Sequence, residues 1–410
     1  MKQKFTDKFL TKKRALVTMF IFYIFIFAIV VNLFKVMIIK GEEYYAIAED
    51  QWTSSVKIQA RRGSILDRNL KELAVSANVY RVDLDLKTIR EYLEKNSMTY
   101  EDIAVKIAEA LDMNVEKVLK VLNTKDSKGN PAGSAYLIRR VEKSKVDKIK
   151  DLKISGVIIS PDTKRYYPNN SYLSHVLGST DIDGKGLTGI ELIYDDELTG
   201  VDGFRIVELD AKSRDLPYSI SEYIDPIDGK NVVLTIDEKI QFFAEKAANQ
   251  ALIDNKAKAV SIIVTNPENG EILAMVNKPD FNPNTVRDEV ATYDELQKLW
   301  RNRSVNDIYE PGSIFKIITS IAAIEEGIIS DKDSFVCDGH KEVGGRIIHC
   351  WKRTGHGTQN FAQILQNSCN VGFMEIGERL GAETLNKYIK KFGFGEKTQL
   401  DLPGAAKGII

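Results

Sequence analysis

Ser313 and Lys316 are residues whose types and spacing could support covalent chemistry. Residues three apart on a helix share one face, with Cβ atoms about 5–6 Å apart. A neutral lysine at that separation can take the proton of a serine hydroxyl and make it a nucleophile. The pattern alone is weak, because Ser54 and Lys57 repeat it. The alternative is an N-capping serine beside a lysine that reaches solvent.

The residues around this pair predict the helix that would position them. A Pro-Gly pair precedes Ser313, and a helix is predicted to continue over 317–326. The run from Ile314 to Ile324 is apolar on nearly all sides, which predicts a buried helix. Lys316 is the only cation in it, and burial of an ammonium lowers its pKa. Backbone N–H groups at the helix start could stabilise a developing oxyanion.

Ser368 and Asn370 form a second candidate element, just after a helical run over 360–366. A serine and an amide two residues apart on a loop can face the same cleft. The serine could relay a proton to a leaving amine, and the amide could bind a substrate carbonyl and tune Lys316. The same pattern occurs at 76–78 and 304–306, so an ordinary turn is the alternative.

Further motifs accompany these two in a fixed order along the chain: Arg61–Asn69, Arg165–Pro168, Ser174–Gly178, Gly186–Glu191, Thr235–Asp237, Pro267–Gly270 and Asp401–Gly404. Together they resemble the class B penicillin-binding proteins, the membrane-anchored peptidoglycan transpeptidases of cell division and sporulation. The resemblance implies a single N-terminal transmembrane helix and an α+β pedestal of the dimerisation type. An α/β transpeptidase domain of the serine β-lactamase-like kind, here partial, would follow.

The resemblance also implies the roles of the candidate residues. Ser313 would be the acylated nucleophile, Lys316 its base, and Ser368 with Asn370 the second catalytic element. The substrate would be the D-Ala-D-Ala end of a peptidoglycan stem peptide, cross-linked to a neighbouring stem, and penicillins would acylate the same serine. The implied partners are a glycosyltransferase and other division or spore-wall proteins. No cofactor and no metal are expected.

The N-terminus predicts the membrane anchor. Residues 1–14 are basic, and the run over 15–39 is apolar. At 1.5 Å per residue this run spans about 37 Å, enough to cross a ~30 Å hydrocarbon layer. A cleaved signal peptide is disfavoured because the run is long and Ala46-Ile47-Ala48 lies far beyond it. The basic tail predicts a cytoplasmic N-terminus, with the bulk of the chain outside.

The spacing of apolar and polar residues predicts several further elements. A short helix is predicted from Glu42 to Trp52. Apolar residues at helical spacing over 87–153, among them Ile89, Ile103, Val105 and Ile107, predict several amphipathic helices. Thr188 and Glu191 have the spacing of a capping box.

Further along the chain, a strand is predicted over 231–235, and Asp237 is predicted to cap a helix that runs to about Asp254. The segments 259–265 and 271–276 flank Pro267–Gly270 and predict a hairpin.

Asp225–Gly229 is the strongest boundary signal, so we predict a pedestal over 40–228 and a transpeptidase domain over 229–410. The family's third motif, Lys-Thr/Ser-Gly, does not occur, and Lys397-Thr398-Gln399 is rejected as a substitute. The sequence therefore predicts a truncated domain without efficient turnover. The alternatives are a non-catalytic scaffold, or a β-lactamase-type hydrolase or β-lactam sensor, against which the long pedestal argues.

The length and composition limit the classes of protein to which this chain can belong. A chain of 410 residues suggests two to four domains. With 43% hydrophobic residues, a mainly disordered protein is excluded. With 57 basic against 58 acidic residues, there is no net attraction to nucleic acid.

Two cysteines and two histidines suggest a zinc site: Cys337, His340, His349 and Cys350. The sequence argues against it, because adjacent residues 349 and 350 would point to opposite faces of a strand. His356, between two glycines, is predicted to be a loop residue. Cys369 is hypothesised to form a disulfide with Cys350 or Cys337 that distorts the site on oxidation. Three unpaired core thiols are the alternative.

Overall fold

The computed structural model describes residues 2–45, 53–209, 215–286 and 290–410. Two compact units follow from the contacts within the chain. Residues 1–61 and 200–229 form the first, and residues 62–199 and 230–410 form the second.

The strands, in chain order, are β1 (Thr53–Ile58), β2 (Ile65–Leu66), β3 (Glu72–Asp85), β4 (Ser134–Val141), β5 (Val157–Tyr166), β6 (Gly203–Leu209), β7 (Asp215–Ile224), β8 (Val232–Val233), β9 (Val260–Thr265), β10 (Ile272–Lys278), β11 (Ser334–Cys337), β12 (His340–Val343), β13 (Arg346–His349) and β14 (Gly357–Asn360).

The helices are α1 (Lys2–Phe34), α2 (Leu86–Asn96), α3 (Tyr100–Leu111), α4 (Val115–Leu122), α5 (Lys143–Asp151), α6 (Ser174–Leu177), α7 (Gly189–Ile193), α8 (Asp195–Thr199), α9 (Glu238–Asp254), α10 (Tyr293–Trp300), α11 (Arg303–Asn306), α12 (Lys316–Glu325), α13 (Phe361–Gln366) and α14 (Asn370–Lys391). A π-helical turn, Lys35–Ile39, continues α1, and a 3₁₀ turn, Gly312–Phe315, leads into α12.

The first unit begins with the apolar helix that the sequence predicts. The segment Arg14–Ile39 has a mean hydropathy of 2.6 over its best window, and it is long and apolar enough to cross a membrane. Its large side chains are exposed, as an apolar surface meant for lipid would be. A further short helix was predicted from Glu42 to Trp52. It is helical through residue 45, and 46–52 lie outside the described residues.

The first unit also contains a three-stranded antiparallel sheet in the order β1-β6-β7. The second Ser-x-x-Lys pattern, Ser54 and Lys57, lies on β1. Lys57 forms an ion pair with Asp202. The lysine of this second pattern is therefore paired with a carboxylate.

In the second unit, the long strand β3 is the centre of a five-stranded sheet. It pairs antiparallel with β2, β4 and β5, and β2 pairs in parallel with β8. Helices α2 to α5 contribute to a core cluster with this sheet that includes Ile89, Ile103 and Ile107, all fully buried. The predicted amphipathic helices are confirmed, although Val105, predicted on a buried face, is exposed. Strand β4 lies among them and was not predicted.

A buried ion-pair network joins three of the sequence motifs. Glu191 has no exposed surface and accepts hydrogen bonds from Arg62 Nε and Nη2 at 2.9 and 2.7 Å. Its other oxygen accepts from Arg165 Nε at 2.6 Å. Arg62 Nη1 also donates to Asp195 at 2.7 Å, and Arg165 Nη1 to the Gly63 carbonyl. Segments more than 100 residues apart are thus held by one carboxylate.

The same network corrects one prediction. Thr188 and Glu191 have the sequence of a capping box, in which the glutamate would bond back to the helix start. Thr188 is the N-cap of α7, but its side chain makes no capping hydrogen bond. The capping box is wrong because the two arginines occupy the Glu191 carboxylate.

The remainder of the second unit positions the candidate site. Asp237 caps α9, and β9 and β10 form the predicted antiparallel hairpin beside it. The strand predicted over 231–235 is shorter in the structure, where Val232–Val233 form β8. A separate apolar cluster holds α12, β11 and α14 together through Ala322, Phe335 and Ile376.

We expect Glu191→Ala to destabilise the second unit strongly, because it leaves two buried guanidinium groups without their shared partner. Breaking a buried ion pair from one side costs about 3–5 kcal/mol. The urea midpoint of the full chain in detergent, followed by tryptophan fluorescence, measures this loss. Glu271→Ala is the matched control, since Glu271 pairs with Arg68 at the surface and should cost at most ~1 kcal/mol. Equal midpoints for the two variants would contradict the network's importance.

Candidate active site

Ser313 lies at the entry to α12. The 3₁₀ turn Gly312–Phe315 carries it, and Gly312 adopts a φ of +58°, which glycine accepts readily. The Ser313 side chain is exposed, so its hydroxyl is open to a substrate.

Lys316, the first residue of α12, is the centre of the site. Its Nζ lies 3.3 Å from the Ser313 Oγ and 2.9 Å from the Ser368 Oγ. It donates to the Ser368 carbonyl and to Asn370 Oδ1, both at 2.7 Å. The Phe373 ring packs 5.6 Å from the same nitrogen. The four candidate residues predicted from the two patterns are therefore brought together on one amine.

The backbone at Ser368 explains how one residue offers two acceptors to Lys316. Ser368 adopts a left-handed φ of +47°, uncommon for a residue with a side chain. Both its carbonyl and its hydroxyl then reach Nζ. Asn370 begins α14, and its Nδ2 donates to the His349 carbonyl at 3.1 Å. Because a carbonyl only accepts, this bond turns Oδ1 toward the lysine.

The contacts of Lys316 suit a neutral amine. Two of its acceptors, the Ser368 carbonyl and Asn370 Oδ1, cannot donate a proton. A neutral amine donates to both and keeps a lone pair for the third direction, which faces the Ser313 and Ser368 hydroxyls. Burial lowers the pKa of Lys316, and the neighbouring Cys350 and Cys369 oppose this by raising it. The pKa of Lys316 is lowered overall, which favours the neutral amine.

The predicted all-round burial of the helix is wrong. The face with Ala322 and Ala323 is buried, while Ile314, Ile317 and Ile324 are 67, 52 and 55% exposed. Helix α12 packs against α14 on one side, and no other described element of this chain covers the opposite side. The apolar pattern therefore predicted more burial of this helix than the described structure shows.

The other Ser-x-Asn patterns have structural roles. In the first, the Ser76 Oγ donates to the Arg62 carbonyl. In the second, the Ser304 Oγ donates to Asn277 and Asn306 donates to the Gly404 carbonyl. Among the described residues, only the pattern at 368–370 accepts hydrogen bonds from Lys316, so only that copy belongs to the site.

Sequence reasoning missed how the cysteines lie around this site. All three are buried and free, and together with His356 they place their donor atoms within 4.8 Å of one another. Burial raises the pKa of the Cys369 thiol. Burial also acts to raise that of Cys350, but backbone N–H groups of neighbouring residues outweigh it and lower the pKa. His356 lies in a loop as predicted, yet its ring faces the sulfurs.

Two family models match the chain. The penicillin-binding protein dimerisation domain matches residues 57–234, and the penicillin-binding protein transpeptidase domain matches residues 260–410. The four site residues lie in the second match.

Curated relatives and solved structures agree with these matches. Stage V sporulation protein D of Bacillus subtilis is 38% identical over 98% of this chain and 60% of that protein. Peptidoglycan D,D-transpeptidase FtsI of Escherichia coli is 30% identical over 86% of this chain and 57% of that protein. The penicillin-binding protein PBP2 of Helicobacter pylori, solved in complex with MreC, superposes with a TM-score of 0.68 at 29% identity. That match covers 87% of this chain and 69% of that one. The chain spans about 60% of the length of these curated relatives.

Proposed function

The chain belongs to the class B penicillin-binding proteins, and from that membership we propose that it is a serine-type peptidoglycan D,D-transpeptidase. The observation that carries the proposal is the position of Lys316 Nζ, within hydrogen-bonding distance of Ser313, Ser368 and Asn370. Its substrates are peptidoglycan stem peptides ending in D-Ala-D-Ala, and β-lactams are its inhibitors.

In this proposal Ser313 is the nucleophile and Lys316 the general base. The Ser313 Oγ attacks the carbonyl carbon of the D-Ala-D-Ala peptide bond while its proton passes to the neutral Lys316 amine. The C–N bond then breaks, and the leaving D-Ala amine takes a proton that Lys316 returns through the Ser368 hydroxyl. The acyl group remains as an ester on Ser313. An amine of a neighbouring stem peptide attacks that ester, and the protons return by the same route.

Asn370 positions Lys316 in this scheme. Its Oδ1 holds Lys316 in place, and this bond is maintained because its Nδ2 is bound to the His349 carbonyl. Fixed donors and acceptors of this kind avoid reorganisation as the reaction proceeds. We assign Ser368 and Asn370 together as the second catalytic element.

The family's third motif is not found in these 410 residues. Lys397-Thr398-Gln399 lies in no strand, and the following Leu400 and Leu402 pack against a core cluster with Ile190 and Met275. This supports the rejection of that segment as a catalytic strand. We retain the domain bounds 40–228 and 229–410 as part of the proposal.

We further propose that α1 anchors the protein in the cell membrane, with the N-terminus cytoplasmic and the two domains outside. The basic residues before Ala15 support this orientation. The complex of the H. pylori relative with MreC supports a wall-synthesis protein as a partner of this chain too. A glycosyltransferase and other division or spore-wall proteins are the proposed further partners.

Labelling with a fluorescent penicillin tests the nucleophile. We expect a stable covalent adduct on the full chain and none on Ser313→Ala, because the ester forms on that hydroxyl. Ser54→Ala, in the second Ser-x-x-Lys pattern, is the control and should label like the unaltered chain. If no Ser313-dependent adduct forms, the scaffold function is favoured. An adduct that hydrolyses rapidly favours a β-lactamase-type enzyme.

The rate of this labelling tests the base. Below the pKa of Lys316 the ammonium has no lone pair, so the acylation rate should rise with pH and level off above that pKa. Because burial lowers the pKa, the plateau should begin below the pH expected for an ordinary lysine. Lys316→Arg should lower the rate by ~10²–10⁴-fold, since a guanidinium stays protonated. A pH-independent rate, or an equal loss in Lys57→Arg, would refute the assignment.

A further inference from the structure

Four side-chain atoms that could bind a metal ion lie close together beside the candidate active site. The sulfurs of Cys337, Cys350 and Cys369 and a nitrogen of His356 all lie within 4.8 Å of one another. The His356 Nδ1 is 3.6 Å from the Cys337 sulfur and 3.6 Å from the Cys350 sulfur. The three cysteines are almost fully buried. The described structure therefore contains a compact pocket of three thiols and one imidazole.

Four separate pieces of backbone deliver these donors. Cys337 ends β11, Cys350 follows β13, His356 precedes β14, and Cys369 caps α14. Strand β11 pairs with β14 so that Cys337 lies opposite Gly357, which brings His356 beside the first sulfur. The Cys350 N–H donates to the Gly339 carbonyl at 2.9 Å, which fixes the second.

Close backbone packing holds the loops that carry the donors. A Cβ on Gly355 would lie 2.2 Å from the Cys337 carbonyl oxygen, and one on Gly339 would lie 2.0 Å from that of Arg353. Both glycines also have a positive φ. No other residue type fits either position without moving the backbone. The convergence of the four donors is thus fixed by the fold.

The distances match the edges of a zinc tetrahedron. Zn–S bonds of ~2.3 Å and Zn–N bonds of ~2.0–2.1 Å place tetrahedral ligand atoms about 3.5–3.8 Å apart. The two measured S···N distances already have this value. The widest separation, 4.8 Å, needs to shorten by about 1 Å. A disulfide would join only two sulfurs and has no use for the imidazole.

We propose that Cys337, Cys350, His356 and Cys369 bind one zinc ion in a closed tetrahedral site. Three thiolates and an imidazole are the donor set that favours zinc over magnesium or calcium. Four protein ligands leave no position for water, so the ion is structural. The site is independent of the proposed transpeptidase function.

The zinc would do two structural tasks. The hairpin β12–β13 lies between Cys337 and Cys350, and the side chains of Arg346–His349 are all exposed. A two-stranded hairpin is marginally stable by itself, so a metal at its base would attach it to the domain.

The second task, the positioning of the candidate active-site residues, rests on the proposed function. Cys369 lies between Ser368 and Asn370, and Cys350 follows His349, whose carbonyl orients the Asn370 amide. Both cysteines would thereby act as positioning residues.

Metal analysis of the full chain, purified in detergent without chelator, tests the site. We expect about one zinc per chain by mass spectrometry. After removal of zinc under reducing conditions, Co²⁺ should give the intense visible bands and thiolate charge-transfer absorption of a tetrahedral site. Substoichiometric zinc with a weak octahedral Co²⁺ spectrum would overturn the proposal. Recovery of a disulfide between two of these cysteines in place of bound metal would overturn it too.

Variants separate loss of a ligand from loss of the fold. Cys337→Ser and His356→Ala should each weaken Co²⁺ binding by at least ~100-fold, since even residues that only orient ligands cost 10–100-fold. His356→Cys should keep the metal and add thiolate charge transfer, because a fourth sulfur replaces the imidazole as ligand. His340→Ala is the matched control, an exposed histidine on the hairpin, and should bind normally. A loss in His340→Ala equal to that in His356→Ala would refute the ligand set.

The acylation rate tests the positioning role. Removing zinc from the unaltered chain should slow penicillin acylation by up to ~100-fold, as displacement of a catalytic group by about 1 Å does. Adding zinc back should restore it, and His340→Ala should keep the rate of the unaltered chain. An unchanged rate after zinc removal would overturn only the positioning role. If the zinc-loaded chain forms no adduct at all, the proposed function fails and the metal site stands.

Discussion

The candidate site depends on one amine that the fold takes partly out of water. Partial burial disfavours the charged ammonium of a lysine relative to the neutral amine. Lys316 finds two carbonyl acceptors at the start of α14, on Ser368 and Asn370. These bonds connect α12 to α14 and leave the third bonding direction of Nζ facing the Ser313 and Ser368 hydroxyls. The same interaction therefore orders the two helices and positions the amine that we propose as the base.

In the pedestal, a buried carboxylate is likewise held in place by several polar partners. Glu191 is wholly buried and is stable there because Arg62 and Arg165 surround it. Each of the three belongs to a different sequence motif, and none of the motifs would be stable at that depth alone. A buried charge with several partners specifies which segments must meet, since leaving any partner out is costly. This explains why a charged residue rather than an apolar one joins these segments.

The thiol cluster and the candidate active-site residues share a short stretch of chain. Residues 368–370 supply a hydroxyl, a sulfur and an amide to two different centres. Ser368 and Asn370 turn toward Lys316, while Cys369 turns into the apolar core with Phe335 and Ile364. Because Cys369 lies between Ser368 and Asn370 in the chain, contacts that hold its sulfur in place also restrict the positions of these two neighbours. The zinc proposal and the transpeptidase proposal meet at this point, although each has its own measurements.

Local pattern alone determined much of this protein: the apolar helix α1, the amphipathic helices of residues 87–153, the β9–β10 hairpin and the pair Ser313–Lys316. These follow from spacing along the chain, which sequence displays directly. Which of three Ser-x-Asn patterns joins Lys316, which face of α12 is covered, and which partner Glu191 takes were decided by tertiary structure. Tertiary structure also brought His356 together with the three cysteines, whereas the spacing along the chain had suggested His340 and His349. Contacts between residues far apart in sequence depend on strand pairing and helix packing, and neither is visible in local spacing.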